Sequence, residues 1–313
     1  MLAAVIAPPE PVGASPGTLF AQKAITVLLI GAPVAAVGAV VWLALPPTPL
    51  DVALMLAMTA VAMIGVTVGF HRMLTHRAFT AAPWLRDLLV WAGATSLEGS
   101  PVGWVAMHRE HHHYSDTGKD PHSPHAHGSV ALGTVRGFVH AHMGWLIEGF
   151  PAKPEKYAPD LLADRRLMRI NTWWWIAPVL TVLVLPVAVG WAAGGARGAA
   201  TTFVWAGLLR VGLVHHFSWS VNSVCHLWGD RPFETRDHSR NVSWLALVSA
   251  GESWHNAHHA FPTLARHGVD EGQMDLAGDL IAFLERRGWV TNAKWPNPEM
   301  LDARRRFAWP SAC

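Results

Sequence analysis

The chain has 313 residues, of which 51% are hydrophobic and only 15% charged, and its formal charge is +2. Soluble domains carry roughly a quarter charged residues, so this composition, with a mean hydropathy of +0.23, points to an integral membrane protein. The small net charge and the lack of any long Lys/Arg run exclude a nucleic-acid-binding protein, and two cysteines, Cys225 and Cys313, are too few for a disulfide framework and read as reduced and structural.

The first residues carry Pro8, Pro9, Pro11 and Pro16 with Glu10 and lack a basic start followed by an apolar core, so residues 1–23 read as a flexible cytosolic tail. A bilayer-crossing helix needs ~20 apolar residues. Ala24 to Leu45 meets that requirement, Pro46-Pro47-Thr48-Pro49 breaks it, and Val52 to Phe70 forms a second span ending at His71. Trp84 to Ser96 is too short to cross and reads as a re-entrant or interfacial helix, and Trp104 to His112 has helical spacing. Tyr114 to His127 is a polar loop, Gly137 to Phe150 an amphipathic surface helix, and Pro151 to Arg169 a charged connection. Trp173 to Trp191 and Ala199 to Val221 are the third and fourth spans, joined by Gly194-Gly195-Ala196-Arg197-Gly198, with Trp173, Trp174 and Trp175 as an interfacial belt.

The two short turns hold one basic residue, Arg197, while nearly all other Lys and Arg lie on the opposite side. The positive-inside rule then places both termini in the cytosol. The expected fold class is therefore an all-α membrane protein with four transmembrane helices and a cytosolic helical cap. Residues 24–262 form the transmembrane and metal-binding domain, and 263–313 the C-terminal part of the cap. Residues after Asn241 are expected to be mostly helical, and Arg304-Arg305-Arg306 reads as a solvated or lipid-facing run.

Eight of the 19 histidines fall in three clusters, each beside an apolar segment: His71 and His76; His108, His111 and His112; and His255, His258 and His259. Residues three and four apart share a helix face, so the second and third clusters can each aim imidazoles at one point. His71 and His76 are five apart, which in an α-helix turns them about 140° from each other, so the helix is expected to unwind there. Asn222 and His226, four apart at the cytosolic end of the fourth span, complete the set. Imidazole suits Zn, Cu, Fe and Ni, this many ligands exceed one tetrahedral ion, and no HExxH hydrolase motif occurs, so a redox metal pair fits best. His113 lies off the ligand face, His122, His125 and His127 read as solvated, and His215 and His216 as locally hydrogen-bonded. Glu110, Asp116, Asp120 and Glu252 are carboxylates that could orient the ligands.

The patterns HxxxxH, HRxHHxYSD, NSxxH and HNxHHxFP, here His71 to His76, His108 to Asp116, Asn222 to His226 and His255 to Pro262, resemble the membrane fatty-acyl desaturases of the stearoyl-CoA desaturase type. The likeness runs from about Leu50 to Pro262. It implies a di-iron centre, one iron held by His71, His76, His108, His112 and His258, the other by His111, His226, His255 and His259 with Asn222 holding a water. It implies O2- and two-electron-dependent formation of a cis double bond, with position nine of the chain as the usual target. Trp104 and Ser218 would line the bend of an acyl tunnel, with Thr59 and Met63 near its closed end.

The substrate implied is an acyl-CoA, but the family's Arg-Asp pair that contacts CoA is replaced by Ala106 and Met107, which leaves acyl-lipid and acyl-carrier protein open. A separate donor of ferredoxin, rubredoxin or cytochrome b5 type with an NAD(P)H reductase must supply electrons, because no haem or cluster-binding pattern is present. A related di-iron hydroxylase is the nearest rival. A membrane metal transporter or sensor is the non-enzymatic one, and it predicts polar spanning helices, which the first three spans are not.

Overall fold

The computed structural model describes residues 16–125, 131–148 and 153–306. The long apolar helices carry histidines near their C-terminal ends, and the other two histidine clusters stand on shorter helices. Pro16–Trp42 is the first helix. Thr48 and Asp51 then form a reciprocal capping box, with Pro49 in the first turn, to start a second helix over Pro49–Thr75.

Among the described residues two helical runs are long and apolar enough to cross a membrane, Pro49–Thr75 and Ile176–Leu227, and Thr26–Trp42 is a shorter apolar helix. The second run is folded back on itself, because Gly194 (φ −156°, ψ 25°) and Gly195 (φ 59°, ψ −146°) leave the helical region. Gly195 needs the left-handed region that glycine occupies freely. Gly190 and Gly198 allow the two arms to touch backbone to backbone just beyond the turn. Arg197 donates to the Ala44 carbonyl at 2.7 Å and the Trp205 indole to Leu45 O at 2.9 Å, so the two short turns lie side by side. Val34, Val41, Leu56, Leu183 and Trp191 are exposed on the outer faces, an apolar surface typical of contact with lipid.

The second helix departs from expectation in an informative way. It does not unwind at His71 but widens into a π-helix over Gly65–Thr75. The His76 amide bonds the His71 carbonyl five residues back, at 3.1 Å. An i→i+5 winding stacks residues five apart, so the spacing that an α-helix would splay places the two rings 4.8 Å apart.

The short helix Pro83–Ala94 packs on this wide segment, burying Leu85, Leu89 and Val90. The close approach requires glycine: a Cβ on Gly65 would overlap the backbone of Ala92 and Gly93. Ser100 caps the next helix, Pro101–Tyr114, which carries the second cluster.

Three other expectations are corrected. The expected surface helix Gly137 to Phe150 is instead Ala131–Val139, a π-turn His140–Gly144 and Trp145–Glu148. It buries His140, His142 and Trp145, because His142 bonds Ser223 and His216 of the last long helix (both 2.9 Å). Residues after Asn241 are not mostly helical: Ser243–Leu245, His255–Ala260, Leu276–Arg286 and Pro298–Asp302 are linked by long turns. Val290–Thr291 also pairs antiparallel with Thr80–Ala81. The Arg304–Arg306 run is not simply solvated. Arg304 donates to Ala260 O at 2.6 Å, just after the third cluster, and Arg305 to Asp270 at 2.7 Å.

Cys225 is buried and free. Cys313, His127 and most of the expected tail lie outside the described residues.

Candidate metal centre

Four elements deliver nine imidazoles to one place. Their ring nitrogens fall into two groups, His71, His76, His108, His112 and His258, and His111, His226, His255 and His259, each with its ligand atoms within 4.8 Å of one another. These are the two sets into which the resemblance divides them. Helical spacing explains how two elements serve both groups. The i, i+4 pairs His108/His112 and His255/His259 each fork toward one group, with Nε2 atoms 3.0 Å apart, while His111 and His258 cross to the other. His258 Nε2 lies 2.9 Å from that of His112 and 3.1 Å from that of His71, and His255 Nε2 lies 3.0 Å from that of His226.

Carboxylates behind the rings fix their orientation. His71 Nδ1 meets Glu252 at 2.6 Å, His111 Nδ1 meets Asp120 at 3.0 Å, His226 Nδ1 meets Asp116 at 2.9 Å and His259 Nδ1 meets Asp237 at 2.7 Å. Of the four carboxylates expected in that role, Glu110 does not take it; it pairs with Lys153 at 2.7 Å. Asp237 was not foreseen, because it lies 22 residues from His259 in an unpatterned loop. Burial opposes charge on Asp116, Asp120, Asp237 and Glu252, but the imidazoles, joined by Arg72 at Glu252, outweigh it and hold all four well below the usual carboxylate range. Burial first, then crowding by neighbouring rings, keeps His76, His108, His112, His255 and His258 far below the ordinary imidazole range. Neutral imidazole is the form that binds metal.

The residues fit a metal pair. In the second group, His111, His226 and His259 each turn Nδ1 to a carboxylate, so their Nε2 atoms face inward, toward one another. Buried Nε2 atoms of His76 and His111 have no partner among the described residues. A cation between such converging ring nitrogens gives each of them a partner.

Two arginines lock this arrangement. Arg72 is fully buried, meeting Glu252 at 3.1 Å and Asp275 at 2.9 Å and donating to Ala265 O at 2.8 Å. Arg109 grips Asp160 with both nitrogens (2.6 and 3.2 Å) and donates to Leu74 O and Thr75 O, the carbonyl end of the wide helix.

His267, unremarked in the sequence, is buried against His258, with ring centroids 4.4 Å apart, and its Nδ1 is 3.3 Å from Glu252. His122, expected to be solvated, is buried beside His111 (4.4 Å), and His125 bonds the His226 carbonyl at 2.8 Å. His113 is exposed, off the ligand face. His215 and His216 make the expected local hydrogen bonds, to Ser96 O and His142.

A cavity of about 300 Å3 runs to the metal centre. Met63, Val66, Trp104, Met107 and Ser218 line it, and it reaches His71 and His108 of one group and His255 of the other, with Asn222 beside them. Thr59 does not line it; its hydroxyl bonds Met55 O within its own helix. Ala106 is buried, so no charge stands where the resemblance has its Arg-Asp pair.

The fatty acid desaturase family model matches residues 47–276. The chain is 38% identical over 262 residues to a hex-5-enoyl-[acyl-carrier protein] acetylenase of Moorena producens (strain JHB), covering 83% of this chain and 82% of that one. It is 36% identical to a chloroplastic palmitoyl-monogalactosyldiacylglycerol delta-7 desaturase of Arabidopsis thaliana, over 75% of this chain and 59% of the relative. It is 34% identical to an sn-1 stearoyl-lipid 9-desaturase of Anabaena variabilis, over 74% and 79% respectively.

Proposed function

The chain belongs to the fatty acid desaturase family, and from that premise we propose that it introduces a cis double bond, at position nine, into the saturated acyl chain of a membrane lipid. The balanced reaction takes the two vicinal hydrogens, O2, two electrons and two protons to an alkene and two waters. One observation carries most weight: a largely apolar cavity is lined by histidines of both metal-binding groups. Iron ions held by these nine histidines would supply, with O2, the oxidising power that an unactivated C–H bond demands.

The chain's own residues supply position and dryness. Trp104, Met107, Trp145 and Trp219 wall the cavity and keep water from the reacting methylenes. Asn222, one turn before His226 on the same helix face, is placed to hold a water beside the second group. Met63, which lines the cavity, limits chain length in this reading.

The membrane reading adds four spans: the first helix, Pro49–Thr75, and the two arms of Ile176–Leu227. The same reading puts the metal centre and both termini on the cytosolic side; what supports it is the charge pattern, since the two short turns, which touch through Arg197, hold no other basic residue. Residues 263–313 complete the cap.

An acyl-lipid is favoured over acyl-CoA because Ala106 and Met107 offer nothing to a CoA phosphate, and because two of the relatives above are named for lipid substrates. Electrons come from a separate ferredoxin, rubredoxin or cytochrome b5 type protein with its reductase. Expression in a desaturase-deficient host, with the double bond located by mass spectrometry in each lipid class, tests this. A hydroxylated product without an alkene would overturn it, and product confined to acyl-CoA would overturn the lipid assignment.

A further inference from the structure

The Glu252 carboxylate meets more than the one ligand it orients. Its Oε2 meets His71 Nδ1 at 2.6 Å, and its Oε1 accepts from Arg72 Nε at 3.1 Å. A third group, His267, brings its Nδ1 to the same Oε2 at 3.3 Å. His267 stands on the loop that follows the third cluster and belongs to neither set of nine ligands.

Several contacts place this ring. The His267 backbone N–H donates to Asp275 Oδ2 at 2.6 Å, and Asp275 in turn pairs with Arg72 at 2.9 Å. Arg72 also donates to the carbonyl of Ala265, in the same loop, at 2.8 Å. Arg72, Glu252, His267 and Asp275 therefore close a circuit of contacts, and all four are buried. The His267 imidazole packs on two ligands of the first group, with ring centroids 4.4 Å from that of His258 and 5.5 Å from that of His71.

Beyond the Glu252 contact, neither ring nitrogen of His267 has a partner among the described residues. Leaving buried polar atoms so poorly paired is unfavourable, and a leucine would fill the same space without that penalty. What the imidazole adds is a polar group at Oε2. The ionised Glu252 carboxylate favours the tautomer with the proton on the nitrogen that faces it. The last torsion of a glutamate is broad, so a carboxylate held at one oxygen still pivots. Arg72 holds Oε1; His267 holds Oε2, the oxygen that sets the direction of the His71 ring.

We propose that His267 is a positioning residue for the first metal group, holding Glu252 so that His71 keeps its aim at the ion. This rests on the nine histidines holding a metal pair, as argued above.

The test is Zn2+ binding by the metal-free, detergent-purified full chain, titrated against a competing chelator, with no turnover involved. His76→Ala removes a ligand of the first group only and so identifies the first position. His267→Leu should weaken that position roughly tenfold, the lower end of what loss of a group behind a metal ligand costs, and leave the other within about twofold of wild type. An asparagine amide falls near the place of Nδ1, and a glutamine amide near that of Nε2. His267→Asn should therefore stay within about threefold of wild type at the first position, while His267→Gln falls with His267→Leu. A space-filling role would not produce that split. Circular dichroism checks folding, and if His267→Leu does not fold, the comparison of His267→Asn with His267→Gln decides alone. The proposal is overturned by a folded His267→Leu chain within about twofold of wild type at the first position, by equal weakening of both positions, or by equal affinities in His267→Asn and His267→Gln. A wild-type chain that binds no pair of Zn2+ ions overturns the metal centre itself, and the proposal with it, which no variant result does.

Discussion

Replacing Asp237 by alanine should weaken one metal position and spare the other. Asp237 Oδ2 accepts from His259 Nδ1 at 2.7 Å, while its Oδ1 accepts from the Ser239 amide and hydroxyl. His259 belongs to the group with His111, His226 and His255 and makes no ligand-atom contribution to the other group. Losing a carboxylate that orients a ligating imidazole costs ~10–100-fold in metal affinity, about 1.4–2.8 kcal/mol. Asp237→Asn keeps an oxygen to accept the Nδ1 proton but loses the charge, so its loss should stay near the lower end, about tenfold. The assay titrates metal-free protein in detergent with Zn2+, a redox-silent probe, against a competing chelator. Wild type should fill two positions of similar affinity; Asp237→Ala should show one unchanged and one weakened. Helical content by circular dichroism guards against misfolding. A folded Asp237→Ala protein that binds both ions within about twofold of wild type would refute the reasoning, as would equal weakening of both.

Arg72 is fully buried between Glu252 and Asp275, so Arg72→Met leaves two buried carboxylates without their cation, a loss of ~3–5 kcal/mol. A thermal unfolding midpoint of the metal-free variant close to wild type would contradict this. Gly65→Ala forces a methyl into the backbone of Ala92 and Gly93 and should cost at least ~1–3 kcal/mol, whereas Gly31→Ala, with open space around it, should behave as wild type in the same melt. Glu98 is raised from an ordinary 4.5 to about 7 by burial, so folding takes up a proton between those values. Its contribution is complete at low pH and is lost as pH rises through about 7, by roughly 3 kcal/mol at ~1.4 kcal/mol per pH unit. The melting temperature of wild type should therefore fall more between pH 5 and 8 than that of Glu98→Gln, and parallel curves would exclude a buried acid there.

Much of the centre is visible in the residue order because helical geometry is local. His108, His111, His112, His255, His258 and His259 share faces by spacing alone, and the structure brings them together. What escaped detection depends on contacts across long separations. Asp237 reaches His259, and Arg72 reaches Asp275, through loops with no periodicity. His122 reads as solvated because its loop is polar, and His142 falls in a stretch that reads as an amphipathic surface helix, but Asp120 and Ser223 give them partners inside the molecule. The burial of the Ala131–Glu148 region follows from the last long helix packing on it, which no local pattern announces. Likewise the Arg304–Arg306 run found carbonyl and carboxylate partners near the third cluster.

The wide winding of Gly65–Thr75 makes the first histidine pair a gauge of chain length. Removing one residue between His71 and His76, for instance Met73, would let the segment relax to α-helical winding with the two histidines four apart and still on one face. Everything downstream would then be drawn back by about 1.5 Å and rotated by about 100°. The carbonyls gripped by Arg109 and the pairing of Thr80 with Thr291 would fall out of register. Insertions and deletions, more than substitutions, are thus what this stretch cannot absorb.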